Sequence, residues 1–180
     1  MLAVLLFPTL GCGITSNVQD DFPYDLMIGL ADLSEDFEYK GSHFPEIEGA
    51  KSFYITYGKK SGELGALISH QITIYPDIKS AKDSIPIWEN QSFTKNWLQP
   101  KESLFIPSDS DDFYAFKCLP TKINDRESQG CTSIQQHKNL VVLVIVNIDS
   151  ENLSFSEFDN VMKKLDSRLP SEVVPMPGSE

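Results

Sequence analysis

Leu140-Val141-Val142-Leu143-Val144-Ile145-Val146 is a run with no polar face. Side chains alternate across a strand, so an apolar residue at every position predicts a central β-strand covered on both sides. The stretch just before it, Cys131 to His137, has the composition of a neighbouring strand. Further back, Phe113-Tyr114-Ala115-Phe116-Lys117-Cys118 places three aromatics in four residues, which suits a pleated, half-buried surface. Between these two strands Leu119 to Gly130 is largely polar and is expected to be a connection.

Two more strands are expected upstream. Ser52 to Tyr57 alternates, with Phe53, Ile55 and Tyr57 on one face, and Gly58-Lys59-Lys60-Ser61-Gly62 carries the turn residues of a hairpin. From Gly65 to Tyr75 the period is two: Ala66, Ile68, His70, Ile72 and Ile74 share one face. Ser80 to Trp88 has helical composition behind an Asp or Ser cap, with Pro86 limiting its regularity. Near the C-terminus, Ser154-Phe155-Ser156-Glu157 matches a capping box. The following Phe158, Val161, Met162, Leu165 and Leu169 fall at helical spacing, and Pro170 stops the helix. The fold class is therefore α+β: an antiparallel sheet of about five strands packed by helices, including a C-terminal amphipathic helix. Residues 25–170 are expected to form one globular domain, with Leu26 to Phe37 as a short leading element and 171–180 as a disordered acidic tail.

The formal net charge of −11 arises from 26 acids against 15 bases, and none of either lies in residues 1–11. An acidic domain repels phosphate backbones, so nucleic acid is not an expected partner. No cofactor is expected either, since neither a Walker-type phosphate loop nor a His-Glu-x-x-His metal motif occurs. Three cysteines are present, Cys12, Cys118 and Cys131. Cys118 ends one predicted strand and Cys131 begins the next, so hairpin pairing predicts a disulfide between them. A metal site would need further ligands at close spacing, and a redox pair is normally separated by two residues.

The first ten residues, MLAVLLFPTL, are uncharged and apolar. Ten residues are too few to cross a bilayer in helical form, which takes about twenty, but they suit a cleavable signal core. Thr9-Leu10-Gly11-Cys12-Gly13 resembles the lipobox of bacterial lipoproteins, with Thr9 where leucine is usual and with no Lys or Arg before the apolar core. The resemblance covers only residues 1–13. It implies cleavage of a 1–11 signal segment and acylation of Cys12, with 12–24 a flexible tether and the domain extracytoplasmic and lipid-anchored to a membrane. An ordinary secretory leader, with a secreted product and Cys12 incidental, is the alternative.

The globular part carries no motif that names an activity. His43, His70 and His137 are dispersed, and His70 falls on the apolar face of a strand, where a core histidine is far commoner than a catalytic base. Asp109, Asp111 and Asp112 have the carboxylate density of a calcium loop but lack its glycine and its terminal glutamate, so a solvated loop is expected. Gln91 to Asp112 is the least regular stretch, and long irregular loops are often functional. Its aromatics, with Trp88 just before it, make Trp88, Phe93, Trp97 and Phe105 the candidate ligand-binding residues; the same side chains would equally serve as anchors of the loop. The expected function is a membrane-tethered binding domain for a partner protein or a small apolar ligand. The alternatives are a cell-envelope hydrolase whose site is assembled only in the fold, and a structural envelope protein.

Overall fold

A computed structural model describes residues 21–60, 67–102, 105–109, 113–123, 126–149 and 153–178. Residues 1–11, expected as a signal segment, and Cys12, Gly62, Ala66, Asp111 and Asp112 lie outside the described residues. Six strands, β1 (Phe37–His43), β2 (Lys51–Lys59), β3 (Leu67–Ile74), β4 (Phe113–Ile123), β5 (Arg126–His137) and β6 (Leu140–Ile148), form one antiparallel sheet in the order β1-β2-β3-β6-β5-β4. Helix α1 (Ile78–Ser92) joins β3 to β4, and α2 (Phe155–Asp166) follows β6. The class is α+β, with six strands where about five are expected.

β6 is central, as its composition requires. Leu140, Val142, Val144, Val146 and Ile148 share one apolar cluster with Phe158, Val161, Met162 and Leu165 of α2. Val141 and Leu143 point the other way, into a second cluster with Ala81, Ile85 and Trp88 of α1. The result is three layers with the sheet in the middle. The cover on the α1 side stops short of Ile145, which stays 42% exposed.

The additional strand is β1, an edge strand in which only Phe37 is buried. It carries no apolar alternation because neither of its faces is packed along its length. A register shift between Tyr39 and Gly41 marks a bulge at Lys40, and a bulge plus a charge at an edge discourages strand-to-strand aggregation.

The hairpin is longer than its composition suggests. The Leu119 to Gly130 stretch expected as a connection is mostly ladder, with β4 and β5 paired out to Ile123 and Arg126. Cys118 faces Cys131 directly, with the sulfurs 2.08 Å apart and both residues buried. Cys118 directs its N–H and C=O away from β5, to the carbonyl and amide of Leu98. The cysteines are thus a non-hydrogen-bonded pair, the arrangement in which opposed Cα atoms come closest; here they are 4.1 Å apart. Two residues on, Pro120 also turns its nitrogen outward, so its missing N–H removes no bond to β5. Replacing both cysteines by alanine is expected to lower the unfolding free energy by about 3 kcal/mol, from the loop closed across 13 positions. Urea denaturation checks this, and an unchanged midpoint would show that the bridge does not form.

The helices follow their caps. Asp77 accepts from the Ser80 N–H at 2.7 Å to start α1, which extends past Pro86 to Ser92. Ser154 and Glu157 form the expected capping box at α2.

Two terminal segments depart from expectation. Phe22, Leu26, Met27 and Ile28 are buried in the main core, so the packed region begins within the stretch expected as tether. Toward the C-terminus, the Asn139 amide donates to the Val174 carbonyl at 2.8 Å and accepts from its N–H at 2.9 Å, and Pro177 is buried. The expected disordered tail is therefore docked over this part, because Asn139 supplies the backbone partners that a free tail would lack.

Candidate functional site

The described parts of the Gln91 to Asp112 stretch lie in both layers, Phe93 on the α1 side of the sheet and Phe105 on the other. On the α1 side, Trp88 is buried and its indole N–H donates to the Tyr75 hydroxyl at 3.0 Å. Half-buried Phe93 packs against that cluster, its ring centroid 5.6 Å from that of Trp97, with the Lys117 ammonium 4.4 Å above the Phe93 ring. Leu98 then bonds to Cys118 along the strand edge. Phe105 lies in the opposite layer, buried edge-on to Tyr114 at 5.2 Å. The fold brings Trp88, Phe93 and Trp97 together and places Phe105 on the other side of the sheet, so the four line no common groove. The same stretch turns Leu98 and Ile106 outward, 65% and 82% exposed.

Each histidine has a structural engagement. His70 is fully buried, and its Nδ1 accepts from the Ile28 N–H at 3.0 Å, which places the ring proton on Nε2. That Nε2 meets no partner among the described residues. Burial, reinforced by the nearby Arg168 charge and only partly opposed by Asp32, drives the His70 pKa down to about 3, so the ring is neutral at physiological pH. The His137 ring is 2.6 Å from the Pro170 carbonyl, and His43 packs against Tyr54 with ring centroids 4.8 Å apart.

The carboxylates are dispersed in the same way. Asp109 pairs with Lys138 at 3.1 Å, and Asp166 accepts from the Ser108 N–H and the Gln135 amide. Asp32 is nearly buried and forms a two-pronged pair with Arg168, whose guanidinium also donates to the Met27 carbonyl at 3.0 Å. Burial pushes the Asp32 pKa up, but the Arg168 and Gly29 hydrogen bonds, with the charges of Arg168 and Lys164, outweigh it and hold the carboxyl below its usual value. No group of three or more His, Cys, Asp or Glu among the described residues is placed to hold a metal.

One concavity was not apparent in the residue pattern. β6 ends at Ile148, opposite Gln129, so the hairpin beyond this point projects from the sheet as a two-stranded arm. Between the arm and the first turn of α2 lies a cavity of about 860 Å³. Pro120, Ile148 and Phe155 give it apolar surface, and Thr121, Ser128 and Gln129 give it hydroxyl and amide groups. One signal does point to the arm: Asn124-Asp125, two turn-forming residues between Ile123 and Arg126.

Comparison with family models, with curated proteins and with solved structures finds no match to this chain.

Proposed function

We propose that this chain is an exported domain, anchored outside the cytoplasm through an acylated Cys12, that acts by binding a partner protein or a small apolar ligand. The observation that carries this reading is the buried, directly opposed Cys118–Cys131 pair. Bridged cysteines of this kind belong to oxidising compartments. Their pairing also accounts for the odd cysteine count, since it leaves only Cys12, the residue that follows the apolar leader, to receive lipid. Two or three acyl chains would anchor the chain stably where one would not. Binding is favoured over catalysis because the histidines are spent on backbone and ring contacts, while Leu98 and Ile106 present apolar surface from the irregular stretch.

Mass spectrometry of the native N-terminus tests the reading. The expected product begins at Cys12, carries the added mass of the acyl groups, and shows no thiol available for alkylation under non-reducing denaturation. An unprocessed Met1, or two reactive thiols, would overturn it.

A further inference from the structure

We propose that residues 22–33 form an acid-released strap, latched to the sheet by the neutral ring of His70 and freed as a unit when that ring takes up a proton. The strap adds no strand to the sheet. It packs into the core on the α2 side, where Phe22, Leu26, Met27 and Ile28 are buried. Its own backbone bonds are local and close the two short turns Tyr24–Leu26 and Leu30–Asp32.

What ties Met27, Ile28 and Asp32 to the rest of the chain ends on side chains. The Ile28 N–H donates to His70 Nδ1 at 3.0 Å, and the Tyr57 hydroxyl donates to the Ile28 carbonyl at 2.8 Å. Arg168 donates to the Met27 carbonyl and the Asp32 carboxylate, and Lys164 to the Asp32 carbonyl at 3.3 Å. No ladder of backbone bonds has to break for these to let go, whereas every strand beneath is held by one. A segment secured in this way is the kind that opens ahead of global unfolding.

The latch depends on the ring staying neutral. A neutral imidazole with its proton on Nε2 offers Nδ1 as an acceptor, but a protonated ring carries N–H on both nitrogens and would set a donor against the Ile28 N–H. The charged ring would also be fully buried, with no partner for Nε2 among the described residues. The groups around it do not rescue that charge. Asp32 on the strap favours it but is engaged by Arg168; Arg168, just past α2, opposes it, and Lys164 of α2 is positive as well. Tyr57 of β2 is kept neutral by burial, and β6 places only the apolar Val144 opposite His70. The balance holds the ring at a pKa of about 3, so protons reach it chiefly when the strap is away. For a chain anchored through Cys12 the strap is the last stretch before the sheet, and its release would add up to roughly 40 Å of reach. That consequence rests on the anchored reading; the latch does not.

Amide-resolved hydrogen exchange of the full chain carrying Cys12→Ser tests the latch at pH 7.5 and 5.0, with and without low urea, after correction for the intrinsic rate at each pH. The Met27, Ile28 and Leu33 amides report on the strap, and those of Val142 and Val144 on β6. The strap amides are expected to be less protected than the β6 amides at both pH values and less sensitive to urea, the mark of an opening smaller than global unfolding. Their protection should fall about 30-fold from pH 7.5 to 5.0, as linkage requires for a group with pKa 6.5 when open and about 3 when closed. Neither His70→Gln, which keeps an acceptor for Ile28, nor His70→Leu titrates in this range, and in both the fall should shrink to less than about 3-fold. Strap amides that share the protection and urea dependence of β6 would overturn the proposal. So would strap protection that is insensitive to pH in the wild-type ring, or an equal fall in the two variants. Acylation plays no part in this measurement, so its failure is separate from a failure of the N-terminal mass.

Discussion

Arg168→Ala is expected to be among the most destabilising exposed-rim substitutions in this protein, lowering the unfolding free energy by about 3–5 kcal/mol, toward the lower figure because the guanidinium is a third open to solvent. The side chain does three things at once. It neutralises Asp32, of which only 6% of the side chain is exposed, through two hydrogen bonds; it donates to the Met27 carbonyl; and it joins the end of α2 to the N-terminal segment. Removing it leaves a nearly buried carboxylate with the Gly29 N–H and the more distant Lys164 charge as its remaining support. Asp32→Asn should cost less, because the amide keeps an acceptor for Gly29 and leaves no charge buried. The double variant Arg168→Met with Asp32→Leu should recover much of the loss, since the penalty comes from the unpaired partner more than from the lost attraction. Urea denaturation of the wild type, Arg168→Met, Asp32→Leu and their double variant gives the cycle. Additive losses in the double variant would mean that the two residues act independently, contrary to the geometry.

The N-terminal segment that Arg168 secures shows where residue patterns stop being informative. Phe22, Leu26, Met27 and Ile28 follow no helical or strand period, and their partners are far away in sequence: Tyr57 is 29 positions from Ile28, His70 is 42, and Arg168 is 141 from Met27. Local composition holds no trace of such contacts. The opposite holds for β6 and α2, whose periodicity and caps are consequences of their own burial and are complete within a dozen residues. β1 escaped because an edge strand with one buried residue lacks the alternation by which strands are recognised. The cavity escaped for a related reason. Much of its wall is made of polar strand residues of the arm, and a ribbon without a covered face resembles a loop in composition. The cysteine pairing was legible because the two strands flanking a polar linker must return to each other. The aromatic candidates were legible as anchors but not as a site, because Phe105 lies on the other side of the sheet from Trp88, Phe93 and Trp97.

His70 makes the stability of this fold depend on pH in a window that a substitution can remove. Its pKa in the folded chain is about 3, against 6.5 for an unperturbed histidine, because full burial disfavours the charged ring and Arg168 adds repulsion. Above about pH 6.5 the ring is neutral in both states and contributes no slope. As the pH falls below that value the unfolded chain takes up a proton that the folded chain refuses, so stability declines by about 1.4 kcal/mol per unit, with a ceiling of about 5 kcal/mol near pH 3. Asp32 adds nothing to the upper part of this window, since its carboxyl is held below the usual value and its contribution is lost only under more acidic conditions. His70→Leu removes the titrating group and also the acceptor for the Ile28 N–H, which costs about 1–3 kcal/mol at neutral pH. The variant should therefore be the less stable protein at pH 7.5 and lose less on acidification. The two stability curves should cross between about pH 6 and 4. Urea midpoints at pH 7.5, 6.0, 5.0 and 4.5 test this, and parallel curves would show that the ring takes up its proton as readily in the folded chain as in the unfolded one.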